Sequence, residues 1–103
     1  MDLEIILKTT TDQLSKEPNT TLIKYINFLA DEFDKYKQSI LNLSIDIENE
    51  EILVNSFFSD NKAQGYKTKA LYLVEKLEQI ETKQLNIILT LNQRLNEKHK
   101  DLN

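Results

Sequence analysis

The chain has no cysteine and no tryptophan, one glycine and one proline in 103 residues. Without cysteine there are no disulfides and no thiolate metal sites, and a reducing compartment fits. The near-absence of glycine and proline removes the residues that β-turns depend on, and so argues against strand-rich folds. One glycine also leaves no G-x-G-x-x-G, G-x-x-x-x-G-K or G-x-S-x-G motif, so phosphate-cradling loops and the nucleophile elbow are excluded. No long apolar run is present, and the first residues, MDLEIILKTTTD, carry no basic stretch before an apolar one. Neither a transmembrane helix nor a signal peptide is expected, and the expected location is cytoplasmic, or nuclear in a eukaryote, and not secreted.

What is present is a helical pattern. From Leu22, alternating steps of four and three residues give Leu22, Ile26, Leu29, Phe33, Tyr36, Ile40, Leu43, Ile47, Glu50, Val54 and Phe57. Only Glu50 breaks this apolar seam, and no strand has that spacing. A continuous helix over the seam would be about 54 Å long. A second seam runs through Tyr66, Ala70, Leu73, Leu77, Ile80, Gln84, Ile87 and Leu91, with Gln84 its polar member. Its register then slips to Leu95, a stutter-like step.

Between the seams lies SDNKAQG, Ser59 to Gly65, rich in turn and cap formers. The expectation is a turn over 59–65 in which Gly65, or Asp60-Asn61, takes a left-handed backbone conformation. A loop this short makes the helices antiparallel. The expected register places Ile47 near Leu77, Leu43 near Ile80 and Tyr36–Ile40 near Gln84, with Tyr36 and Gln84 as a possible polar pair and Phe57-Phe58 plugging the closed end.

The segment before Pro18 reads as one shorter helix with Leu3, Leu7, Thr10 and Leu14 in register. Leu85, Ile88 and Leu95, with Ile23 on the facing helix, widen the apolar surface at the open end and offer it a place to lie. The chain therefore reads as a single all-α domain over 1–103. A short helix at about 2–16 precedes a long antiparallel, coiled-coil-like hairpin. Its helices span about 20–58 and 66–99, with Thr20 or Thr21 capping the first. The result would be a three-helix bundle, open to completion by oligomerisation. At this length only roughly 65% of the unfolded surface is buried on folding, which makes a partner useful.

Charge is uneven. Residues 21–59 carry seven acids and three lysines, and residues 60–103 carry six acids and eight bases. Opposite signs favour the pairing of the two helices modestly, because exposed ion pairs are worth only ~0–1 kcal/mol each.

Few residues carry the pattern of a reactive site. His99 is the only histidine and stands near a helix C-terminus, where a cation suits the macrodipole. It has no cysteine or second histidine to share a metal with. Most of the acids Asp46, Glu48, Glu50 and Glu51 form a solvated face, without the converging oxygens that a hard cation requires. Glu50 falls on the seam, where a lysine such as Lys69 or Lys76 could reach it. Lys62, Lys67 and Lys69 at the hairpin tip are too few, on a chain of net charge −4, to argue nucleic acid. No serine or threonine has a histidine placed to activate it. No catalytic residue, cofactor or metal is assigned, and no enzyme activity, nucleic acid or membrane is expected.

Leu41, Ile45 and Ile52 share one outer face of the long helix and are the candidate partner surface. The expected partner is another protein or a second copy of this chain, engaged by helix packing in a homo- or hetero-oligomer. Function is read as a non-enzymatic helical interaction module, acting as a subunit or adaptor of a larger assembly. The rival is a stand-alone binder that masks a target, such as a secretion chaperone, an immunity protein or a phage-type inhibitor. A short helix before a long hairpin resembles, in pattern, flagellar and type III secretion chaperones, spectrin-like bundles and small subunits of tethering, kinetochore or transcription complexes. No shared motif accompanies that likeness, so no residue role is carried over.

Overall fold

The computed structural model describes the backbone of residues 1–53 and 60–102 and the side chains of residues 1–49 and 64–99. The described residues form four helices and no strand: α1 Leu3–Leu7, α2 Thr11–Ser15, α3 Asn19–Leu53 and α4 Asp60–Leu102.

The N-terminal segment is two short helices where one was expected. Asp2 caps α1, its carboxylate accepting from the Glu4 and Ile5 amides at 2.9 and 3.4 Å. Thr10 then takes an extended conformation and starts α2. Its hydroxyl accepts from the Gln13 amide (3.1 Å), while the Gln13 side chain accepts from the Thr10 amide (2.9 Å). This reciprocal capping box satisfies two amides that an unbroken helix would have bonded internally. Hydroxyl chemistry at Thr9-Thr10 thus outweighs the apolar spacing across the two short helices. Pro18 plays the same part for α3. Its carbonyl accepts from the Thr21 and Leu22 amides at 3.0 and 3.1 Å, so the helix starts before the expected caps Thr20 and Thr21. A proline at a helix start gives up no bond, since its missing N–H would be unpaired there.

The long helices form the hairpin. Antiparallel order is fixed at two levels: Arg94 meets Asn19 at the open end, and the Tyr36 and Tyr72 rings meet edge-to-face, centroids 6.4 Å apart. The molecule is correspondingly elongated, 70 × 20 × 19 Å, with a radius of gyration of 19.6 Å, against about 13 Å for a compact chain of this length.

Residues 60–65, expected in a turn, are helical. α4 starts at Asp60 and runs through Gly65, and no described residue has a positive φ. Gly65 is an interior helical residue, and beyond its chain neighbours and its own helix backbone nothing lies within 4 Å of where a Cβ would stand. Its cost in a helix, ~1 kcal/mol, is small beside the cooperative gain of continuing on both sides. Residues 54–59, including Phe57-Phe58 and the seam positions Val54 and Phe57, lie outside the described residues.

The earlier start of α4 also corrects the register. Tyr36 meets Tyr72, not Gln84, a displacement of roughly three helical turns along α4. Each residue by which a hairpin's turning point moves back shifts every cross-helix partner by two, so a modest error in the turn becomes a large one in the pairing. Leu43 and Ile80 are both buried but do not meet, and Ile47 and Leu77 are only half-buried.

The seams themselves face inward. Leu22, Leu29, Leu43, Leu73, Ile80 and Ile87 are all buried. The main cluster joins Leu22, Leu29, Ile80 and Ile87 to Ile6 and Leu14 at the open end of the hairpin. Ile6 and Leu14 are the anchors by which α1 and α2 attach, each worth about 1.5–3 kcal/mol if fully buried.

Candidate functional site

Three cations of α4 hold the N-terminal segment in place. Lys76, Lys83 and Arg94 are spaced seven and eleven residues apart, close to whole numbers of turns, and so share one flank. Lys76 pairs with Glu4 of α1 and stands 5.8 Å from the centre of the Tyr72 ring. The Glu4 hydrogen bond holds the Lys76 ammonium above its usual pKa, against a smaller opposing effect of burial. Lys83 is buried and donates to the Thr9 carbonyl at 2.5 Å, just past the end of α1. Burial pushes its pKa down.

Arg94, the only arginine, reaches furthest. One guanidinium nitrogen donates to Asn19 Oδ1 at 2.5 Å. The other faces the carbonyls of Leu14, Ser15 and Glu17 at 3.5, 2.9 and 2.6 Å. A planar fork is suited to gathering several acceptors, and the carbonyls at the end of α2 are the groups a helix leaves unpaired. Arg94 therefore closes the Pro18 link between α2 and α3. The sequence reading missed this clasp. The available signal was a lone arginine in a lysine-rich chain, on the same flank as Lys76 and Lys83.

Tyr36 and Tyr72 extend the network to α3. The Tyr36 phenol is raised to about 12, first by burial and then by its hydrogen bond to Tyr72. Tyr36 thus has a tyrosine partner, and the expected Tyr36–Gln84 pair does not form. An open cleft of about 570 Å³ lies beside this network between α1 and α4, lined by Glu4, Leu7, Lys8 and Glu75 among others. It mixes both signs of charge. Among the described residues no group of His, Cys, Asp or Glu could hold a metal ion. His99, Lys67 and Lys69 are exposed, and the side chains of Glu50, Glu51 and Lys62 lie outside the described residues. Lys76, suggested as a partner for Glu50, is engaged with Glu4.

The opposite flank of the hairpin is apolar and open. Leu41 and Ile45 are 54% and 48% exposed, pointing away from the seam as expected, and Leu41 lines a shallow depression with Asp34, Lys37 and Gln38. The side chain of Ile52, the third candidate, lies outside the described residues. Leu85, Ile88 and Leu95 are 55%, 51% and 54% exposed, and Ile23 is exposed too. This corrects the expectation that the N-terminal helix lies over them. The clasp draws α1 and α2 to the other flank, where Tyr25 shares a depression with Ile5, Thr9 and Gln13. At ~100° per residue, Ile23, Leu41 and Ile45 of α3 and Val74, Leu85, Ile88 and Leu95 of α4 turn to the flank away from α1 and α2.

No protein-family model, curated protein or solved structure matches this chain. Among the described residues no helix is long and apolar enough to cross a membrane.

Proposed function

We propose that the chain is a non-enzymatic helical interaction module, a subunit or adaptor of a larger assembly. The observation that carries this reading is the open apolar flank. An elongated hairpin has its short helices clasped to one side and leaves Leu41, Ile45, Leu85, Ile88 and Leu95 exposed on the other. Scattered exposed leucines are ordinary, but aligned ones on facing helices form a surface that a further helix fits. α1 and α2 act as a third helix over one end, and the partner completes the bundle. Leu41 and Ile45 are the assigned contact on α3, extended by Ile52. The test is Leu41→Glu with Ile45→Glu, read by circular dichroism and by affinity capture from the native host. Retained helicity with lost capture supports the reading. Unchanged capture removes these residues from the interface.

A further inference from the structure

Along the open flank of α4, alternating steps of four and three residues give Glu81, Leu85, Ile88, Asn92, Leu95 and His99. This is a second heptad seam, rotated roughly a quarter to a third of a turn from the seam that faces α3. All six side chains are exposed. Three features of the strip bear on what covers it. The apolar centre is bounded by an acid at one end and by the chain's only histidine, beside Lys98, at the other. Its single internal polar residue is Asn92, which a parallel copy would set against itself and an antiparallel copy sets against Ile88, a cost the leucine pairs must offset. Its pattern is also self-complementary when reversed. Laid antiparallel on an identical strip, Leu85 faces Leu95, Ile88 faces Asn92, and Glu81 faces His99.

We infer that this strip binds a second copy of the chain, α4 against α4 in antiparallel orientation, about a two-fold axis level with Thr90 but on the opposite face of α4. The inference rests on the reading of the chain as an interaction module and names one partner for its open flank. Charge decides the orientation. A parallel pair would set the Glu81 carboxylate against its own copy, whereas the antiparallel pair sets each Glu81 carboxylate against the His99 imidazole. Like charges placed directly opposite are unfavourable, and e and g charges make the same selection in coiled coils. The contact is isologous, so it closes at two copies and does not propagate. Thr90 is buried within its own chain, with its hydroxyl donating to the Asn86 carbonyl at 2.9 Å, and leaves the apolar residues to make the contact.

The test is a charge exchange read by sedimentation equilibrium. Glu81→Lys alone takes the carboxylate away from both His99 imidazoles, and His99→Glu alone sets carboxylate against carboxylate at both ends. Each variant is expected to weaken the dimer about fivefold, the scale of two exposed charge contacts. Mixing the two variants is expected to restore it, because each altered residue then faces its opposite. Ile88→Glu should abolish the dimer with helicity retained. A wild-type monomer at 100 µM, a dimer indifferent to Ile88→Glu, or a mixture no tighter than either variant alone would overturn the inference. A monomer that still captures a host protein through Leu41 and Ile45 overturns this inference and leaves the proposed function standing. Capture that survives Leu41→Glu with Ile45→Glu counts against that reading alone.

Discussion

Replacing Arg94 tests whether a single side chain holds the N-terminal helices to the hairpin. The best of its contacts is with the Glu17 carbonyl, part-buried at 2.6 Å. A charge-assisted bond of that kind contributes ~1.5–3 kcal/mol net. Asn19 and the Ser15 carbonyl are exposed, and water replaces the guanidinium there at little cost. The Leu14 contact, at 3.5 Å, is too long to add much. A cation at the end of α2 adds ~0.3–1 kcal/mol through the unpaired carbonyls. Arg94→Ala should therefore lower stability by about 2–4 kcal/mol. Arg94→Lys keeps the charge but loses the fork, and should recover about half of that. Urea unfolding followed by circular dichroism measures both. Hydrogen exchange should show faster opening around Leu14 and little change near Leu43 and Leu73, at the far end of the hairpin. A loss below about half a kcal/mol in the alanine variant, the range of ordinary surface substitutions, would refute the clasp. Equal stability of lysine and arginine would refute the role of the fork.

Gly65→Ala should raise stability by ~0.5–1 kcal/mol, because the site is helical, has no positive φ and has room for a Cβ; a loss in the same urea experiment would return Gly65 to a turn. Alkaline unfolding should report on Tyr36, whose phenol is raised from 10.0 to about 12 in the fold. Between those values the unfolded chain gives up the proton and the folded one keeps it, so stability falls as pH rises through the window. Lys76, raised, adds to that fall above 10.5, while Lys83, lowered, contributes stability that rises as pH climbs towards 10.5. Comparison with Tyr36→Phe isolates the tyrosine, and identical slopes in the two proteins would remove it as the cause.

Local periodicity is enough to show that the protein is helical, that two long helices carry facing seams, and which residues those seams bury. Leu22, Leu29, Leu43, Leu73, Ile80 and Ile87 were all legible, as was the outward direction of Leu41 and Ile45, because the face a residue occupies follows from a local period of 3.6. Where α4 begins, and therefore which residue meets which, emerges from the folded chain. A heptad pattern is nearly unchanged when one helix slides along the other by seven residues. It specifies a face and leaves the axial position to the length of the connection. Gly65 misled because one glycine costs a long helix less than stopping would. The clasp was illegible for a different reason. Lys83 and Arg94 donate largely to main-chain carbonyls, which every residue carries and no residue type announces. Their partners exist only once Thr10 and Pro18 have broken the N-terminal segment and folded its helix ends against α4. The open flank is the consequence: the clasp commits α1 and α2 to one side of the hairpin, and the apolar residues on the other side are left exposed.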